Sequence, residues 1–275
     1  KVVAVNPVRT GYNAIADEWV SITPGTDGLF VLALIHELFT AGKIDLDYLI
    51  RYTNAPWLVI DEPDSDEHGL FLRDKDGTPQ VIERKTGTVA AIDKKGVKPD
   101  LKGFVKTKEG RKAVPVFMKM AETYMDKAYA PDSVAEATGV SAAQIKAIAA
   151  ELARVAFDEE IVIDQPWTDF KGETHDKMIG RPVSMHAMRG ISAHSNGFQT
   201  CRAIHLLQIL LGSIECPGGF RFKPPYPKPS TAHPAPGRIT KAGEVASGPP
   251  LGYIHGPEDL LVDEDGQPLR IDKAY

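Results

Sequence analysis

The sequence predicts an α/β fold. It reads as a parallel sheet with helices on both faces, broken by a β-rich insertion and followed by an extended, proline-rich tail. Three observations carry this reading. Short apolar runs alternate with longer segments whose apolar residues recur at helical spacing. Between about residues 54 and 113, glycine, proline and charge rise and helical periodicity disappears. From Cys216 onward proline dominates, as in PGGFRFKPPYPKPSTAHPAPG.

The first strand is the apolar run Val2 to Val5, ended by Asn6-Pro7. A second covers Trp19-Val20-Ser21-Ile22. The turn TPGTD then opens a long helix, in which Val31, Leu32, Ile35, Leu38 and Phe39 share a face. Thr26 or Asp27 suits its N-cap, and Gly42 suits the left-handed position beyond its end. A shorter helix is expected over residues 45–51. Within the insertion, GLFLRDKDGTPQVIER reads as a hairpin turning at Asp76-Gly77. It imitates a calcium loop in part, but Leu72 stands at the first ligand position and the flanks are strands, so calcium is disfavoured.

Helices resume over residues 116 to about 127, and again in SAAQIKAIAAELARVA. There Ser141 and Gln144 have capping-box spacing, and Ile145, Ile148, Ala149, Leu152 and Val155 form the apolar stripe. IVIDQP, from Ile161, is the next strand, and residues 183–188 are expected as a third core strand. GISAHSNG is a loop, and QTCRAIHLLQILLG a helix ending at Gly212. No internal repeat is present. The chain opens with Lys1 directly on a strand and reads as an excised piece of something longer.

Composition excludes several classes. The chain has 275 residues, 43% hydrophobic and 25% charged, as in an ordinary globular domain. A net charge of −5 argues against general nucleic-acid binding. No apolar run approaches the roughly 18 residues that cross a bilayer, so the chain itself is not expected to insert in a membrane. Cys201 and Cys216 are too few for a disulfide scaffold, fit no zinc spacing and read as packed thiols. His36-Glu37 lacks a second histidine at the fourth position, and His194 and His205 read as structural, so no metal ligands are assigned. The glycine fingerprint of NAD sites, the G-x-S-x-G elbow and the phosphate-loop lysine motif are all missing.

Ligands of open α/β sheets bind beyond the carboxyl ends of the strands, and three loops hold that position. In NPVRTG, Asn6 can bond a ribose hydroxyl, and Arg9 can pair with a phosphate or stack on a base, unless it is simply solvated. In TPGTD, Gly25 permits close backbone approach and the helix N-terminus favours an anion. Asp27 is either an N-cap or a carboxylate accepting from the donor edge of guanine. MRGISAHSNGFQT offers Arg189, Ser195, Asn196 and Gln199, with glycines at 190 and 197.

Together these stretches resemble a known family. NPVRTGYNAIADEWVSITPGTDGLFVLALIHELF, YAPDSVAEATGVSAAQIKAIAAELA and GISAHSNGFQTCRAIHLLQILLGSIECPGG are similar, in order, to blocks of molybdopterin oxidoreductase (dimethyl sulfoxide reductase) catalytic subunits. They span about residues 1–225. The resemblance implies a Rossmann-like, three-layer cofactor domain over 1–225, with residues 226–275 leading to a domain outside this chain. It implies a bis(molybdopterin guanine dinucleotide) cofactor holding molybdenum or tungsten.

It assigns the guanine contact to Asp27 and the strand-end nucleotide contact to Asn6-Pro7, where the family carries Asp-Pro. Val8 stands at the family's arginine, which Arg9, one place later, replaces. It puts Arg189, Gly190, Asn196, Gly197 and Gln199 near pterin or phosphate. Ser213 replaces a usual asparagine. The family's iron–sulfur cysteines and metal-ligating residue have no counterpart here, so a 4Fe-4S cluster is expected N-terminal to this stretch and no turnover is expected from the piece alone. The long insertion after YTNAPW and the GGFRFKPPYPKP tail resemble the sulfur-compound branch, which includes polysulfide, thiosulfate and tetrathionate reductases and a membrane-anchored sulfite-oxidising enzyme, and the wording NPVRTGY is most similar to the last of these. That branch implies two partners: an iron–sulfur electron-transfer subunit, and a membrane-anchor subunit. Arg221 falls near a substrate-funnel arginine of formate dehydrogenases, or is a surface arginine.

Overall fold

The computed structural model describes residues 1–107, 110–187 and 189–220. Strands β1 (Val3–Val5) and β2 (Glu18–Val20) pair in parallel, with Val5 opposite Val20. Asn6 N–H extends the ladder to the Val20 carbonyl at 3.1 Å. Helix α1 (Asp27–Thr40) follows and is the centre of the molecule. It is buried nearly all round, through Phe30, Val31, Ala33, Leu34, Ile35, Leu38 and Phe39. A helix apolar on every side needs partners on every side, and later helices supply them. α1 ends where the sequence places its stop: Gly42 has φ +64° and Lys43 N–H bonds the Leu38 carbonyl at 2.9 Å. Helix α2 (Leu46–Tyr52) begins at Asp45, whose Oδ1 accepts from Tyr48 N–H at 2.9 Å.

The insertion forms two small antiparallel sheets. β3 (Leu58–Ile60), β7 (Val105–Lys106) and β8 (Lys112–Pro115) make one, in the order β3-β8-β7. β4 (Gln80–Glu83), β5 (Val89–Ala91) and β6 (Pro99–Asp100) make the other, with β4 central. The turn at Asp76-Gly77 is present: Gly77 has φ +81°, and Asp74 Oδ1 accepts from the N–H groups of Asp76 and Thr78, each at 2.9 Å. Leu58, Ile82, Val105 and Ala113 give this region a core of its own. The chain leaves and rejoins the helical body where Phe117 N–H bonds the Ala55 carbonyl at 2.9 Å, and Leu101 of the insertion packs into the helical core.

Helix α3 (Val116–Tyr124) is shorter than its sequence pattern, because Asp126 bonds Ala128 N–H at 2.8 Å and diverts the backbone into a 3₁₀ turn. Helices α4 (Pro131–Thr138) and α5 (Ala142–Asp158) follow. Ser141 Oγ accepts from Gln144 N–H at 3.2 Å, but Gln144 donates its own amide to Glu18 at 3.1 Å. Half of the capping box is therefore spent tying α5 to β2. Strands β9 (Ile161–Ile163), β10 (Trp167–Thr168), β11 (Thr174–His175) and β12 (Met178–Gly180) lead to helix α6 (Gly197–Leu210). α1 packs on α6, α5, α4 and α3.

The sheet differs from the expected three-layer parallel one. Among the described strands only β1 and β2 pair in parallel; every other strand ladder is antiparallel, and no sheet exceeds three strands. β9 pairs with β12, not with β1 or β2, and its three residues are exposed. Residues 183–187 form no strand. Pro182 has no N–H to give a ladder, and Met185 N–H is taken by the Gln208 side chain at 3.1 Å. The mixed α/β character stands. Cys201 and Cys216 are free and partly buried, and burial pushes the Cys216 thiol up. Among the described residues no helix is long and apolar enough to cross a membrane. Arg221 and the 226–275 tail lie outside the described residues.

Candidate functional site

Because β1 and β2 are parallel, the segments leaving them start from the same edge. After β1, Asn6 Oδ1 accepts from Val8 N–H at 3.2 Å, and its Nδ2 lies 3.4 Å from Tyr12 Oη. This local turn holds Asn6 beside the strand end. Trp19 Nε1 donates to the Asn6 carbonyl at 2.8 Å, and the Arg9 guanidinium sits 5.9 Å from the Trp19 ring centroid. Pro7 and Arg9 are exposed.

After β2 comes the turn into α1. Gly25 has φ +84°, a conformation that favours glycine. Thr26 occupies the N-cap position, but its hydroxyl turns back to the Thr23 carbonyl at 2.7 Å. Its backbone, at φ −104° and ψ 9°, lacks the extended form from which an N-cap side chain reaches the first amides. Asn196, the N-cap of α6, has nearly the same backbone, φ −99° and ψ 11°, and caps nothing. Its Nδ2 donates instead to the Gly25 carbonyl at 3.3 Å.

The two uncapped helix starts abut. A Cβ at Gly28 would lie 2.7 Å from Thr200 Oγ1, so only glycine lets the first turns of α1 and α6 touch. The His194 ring is beside Gly25, 3.9 Å from where a Cβ would stand. The 3₁₀ turn Arg189–Ser192 stacks on the start of α6: a Cβ at Gly197 would lie 2.2 Å from the Ser192 carbonyl oxygen. Arg189, Gly190 and Gln199 are exposed around this seam.

The structure thus joins the second and third predicted loops directly. Gly25, Asn196 and Gly197 meet; Asp27 stands in the first turn of α1, half-buried. Its carboxylate has no hydrogen bond or ion pair to any of the described residues, and it is not an N-cap. Asn6, Pro7 and Arg9 share the strand edge but make no bond to the Gly25 turn among the described residues. The chemistry of the seam is divided. The start of α6 has no acidic residue in its first turn; its Gly197 N–H bonds the His194 carbonyl at 2.9 Å, while the Phe198 and Gln199 amides, unbonded among the described residues, are offered to an anion. The start of α1 offers Asp27, which suits a donor-rich ring.

Sequence reasoning missed Asn13. It lies in the loop after β1, 8% exposed, and among the described residues neither its Oδ1 nor its Nδ2 has a partner. A buried amide left unbonded costs about 1–3 kcal/mol, so a polar group bound at this loop would relieve a real penalty. Nothing in GYNAIAD marks Asn13 as buried: its neighbours Tyr12, Ala14 and Ile15 are exposed. The residues present therefore fit a ligand that joins anionic groups to a polar ring.

No family model matches the chain. It is 42% identical to one component of the sulfite dehydrogenase of Allochromatium vinosum over 285 residues, 99% of this chain and 29% of that protein. It is 28% identical to one component of the tetrathionate reductase of Archaeoglobus fulgidus over 239 residues, 80% of this chain and 18% of that protein. The formate dehydrogenase major subunit of Haemophilus influenzae matches at 24% over 219 residues, 80% of this chain and 18% of that one. The chain therefore spans less than a third of the length of each of these relatives. With its three motif blocks and these relatives, the chain belongs to the molybdopterin oxidoreductase family of catalytic subunits.

Proposed function

We propose that residues 1–225, with the insertion at 54–113, are a molybdopterin guanine dinucleotide-binding unit of a molybdenum-dependent oxidoreductase acting on a small sulfur compound. The observation that carries this is the seam of two uncapped helix starts beside an unpartnered Asp27. The identity to a sulfite dehydrogenase component, over 99% of the chain, supports the substrate class.

In this reading the start of α6, with Arg189 and Gly190 above it, holds phosphate oxygens. Asn196 locks that start to the Gly25 turn, and Gly197 and Gln199 border the same groove. Asp27 accepts from the amine edge of guanine, and Asn6-Pro7 with Arg9 borders the nucleotide one strand away. The buried Asn13 amide bonds a polar edge of the ligand. The bound group supplies two-electron or oxygen-atom transfer at molybdenum or tungsten; the chain's own residues bind and orient it.

Both sulfur-enzyme relatives are, by name, single subunits of larger enzymes. That supports a multi-subunit parent protein, whose partners in this proposal are an iron–sulfur electron-transfer subunit and a membrane anchor. A 4Fe-4S cluster and the metal ligand belong, in this proposal, to parts of the parent protein outside this stretch. Residues 226–275 lead on to its next domain, with Arg221 at the substrate approach.

Asp27→Ala in the full-length protein tests the reading. Guanine released on denaturation, counted per protein, should fall at least about fivefold, the loss expected when one charge-assisted contact worth about 1–2 kcal/mol is removed. Unchanged guanine content would reject the role of Asp27. Finding nucleotide but neither molybdenum nor tungsten in the wild-type protein would favour a nucleotide-binding module without redox chemistry.

A further inference from the structure

We propose that Asp169, Glu173 and His175 form a site for one divalent transition cation of the zinc class, clasping the β10–β11 hairpin. Each of the three residues contributes one ligand atom, and these atoms all lie within 4.8 Å of one another. Nitrogen from one imidazole and oxygen from two carboxylates is a donor set that suits zinc and its first-row neighbours.

Two of the three ligands are already held in place. The Asp169 side chain is 1% exposed. Its Oδ1 accepts from Lys171 N–H and Glu173 N–H, each at 2.9 Å, which fixes the carboxylate and aims Oδ2 at the His175 ring. His175 Nε2 lies 3.1 Å from that Oδ2, and its ring is packed on Trp167 with centroids 4.8 Å apart. Backbone donors on one ligand and an aromatic wall on the other are the kind of outer support that metal ligands carry. Gly172, at φ +79°, turns the loop so that Glu173 comes back over the pair.

The geometry is close to what an ion needs. Ligand atoms about 2.1 Å from a tetrahedral ion are about 3.4 Å from each other. The Asp169–His175 pair already meets this, and the exposed Glu173 closes the remaining gap by side-chain rotation. The cations facing the cluster are Arg51, whose Nε is 3.9 Å from Glu173 Oε2, and Lys171, whose Nζ is turned to the Arg51 carbonyl. The Arg51–Glu173 pair is long and exposed, so a divalent ion displaces it readily.

The site is separate from the helix-start seam. Phe170 packs on Tyr52, at the end of α2, with centroids 5.8 Å apart. α2 follows the far end of α1, whose 14 residues span about 21 Å. A bound ion would close the hairpin on itself without approaching the proposed cofactor groove. The bland alternative is an Asp–His ion pair closing a hairpin, in which Glu173 has no part.

Full-length protein, dialysed against chelator, is titrated with Co2+ by visible absorption and with Zn2+ by calorimetry. One saturable equivalent is expected. His175→Gln and Asp169→Asn should each weaken it by about 10- to 100-fold, and Glu173→Gln by about tenfold. Co2+ should also quench a fluorescence component that is missing in Trp167→Phe. Glu173 is exposed, so Glu173→Gln stays informative if the Asp169 variant fails to fold. Wild-type affinity in Glu173→Gln would overturn the three-ligand site, and the absence of saturable binding in the wild type would reduce the cluster to an Asp–His ion pair.

Discussion

The two ends of the α1–α6 pair are built differently. At their C-terminal ends most polar groups are engaged with one another; among the described residues the buried Gln208 Nε2 is an exception. Asp45 N–H bonds the Leu210 carbonyl at 2.8 Å, and Ser213 gives both its N–H and its hydroxyl to the Gln208 carbonyl, at 3.0 and 3.2 Å. Arg181 binds Asp45 Oδ2 at 3.0–3.1 Å, Glu160 at 2.6 Å and the Ala156 carbonyl at 3.1 Å, and packs on the Phe157 ring at 4.9 Å. Burial there pushes the Tyr48 hydroxyl up to about 12. At the N-terminal ends both cap residues turn their side chains away, and Asp27 has no partner among the described residues. Natural chains give up local satisfaction where they bind something, and recover it elsewhere. One end holds the helices together; the other is left for a ligand.

The largest effect should come from the engaged end. Arg181 and Asp45 are about 15% exposed in their side chains, so truncating the arginine strands a largely buried carboxylate. Arg181→Ala should cost about 3 kcal/mol of stability in denaturant unfolding. The contact to Glu160, whose side chain is 38% exposed, adds little. Guanine content of the protein that remains folded should stay at the wild-type level. A drop in both together would erase the division between the ends.

Next comes the contact that brings the helix starts together. In Gly28→Ala the new methyl meets the buried Thr200 hydroxyl at 2.7 Å, and the short threonine side chain has no room to yield. Overpacking of about 1–3 kcal/mol is partly offset by the better helix propensity of alanine. Adding Thr200→Ala should restore stability. If Gly28→Ala is neutral, the two helix starts are not in the tight contact on which the binding groove depends.

Much of this contrast was legible in the chain, because local chemistry writes it. TPGTD announces a helix start, Gly42 and Gly212 announce helix ends, and the spacing of Ile145, Ile148 and Ala149 announces a buried face. The sheet was not legible, since the partner of IVI is chosen by the path of residues 164–178 and not by the strand's own composition. Residues 183–187 look like a strand until one knows that the Gln208 amide, twenty-three positions later, takes the Met185 N–H. Asn13, and the meeting of Asp169 with Glu173 and His175, depend on burial and on loop closure in the same way. Asn196 was singled out for a ligand; that it also ties two helices together emerges only in three dimensions.

That double duty gives the finest test of the contrast. The Asn196 amide makes one exposed bond, at 3.3 Å, to the Gly25 carbonyl. Its loss in Asn196→Ala should cost no more than about 1 kcal/mol in unfolding, a third of the Arg181 effect. Nucleotide retention should nevertheless fall, because the bond sets the α6 start against the Gly25 turn and so fixes the spacing between Asp27 and the unbonded amides. Retention is read as guanine remaining after prolonged dialysis of the full-length protein. Should Asn196→Ala instead destabilise as strongly as Arg181→Ala while guanine stays bound, the N-terminal seam is a structural joint like its counterpart, and the ligand must sit elsewhere.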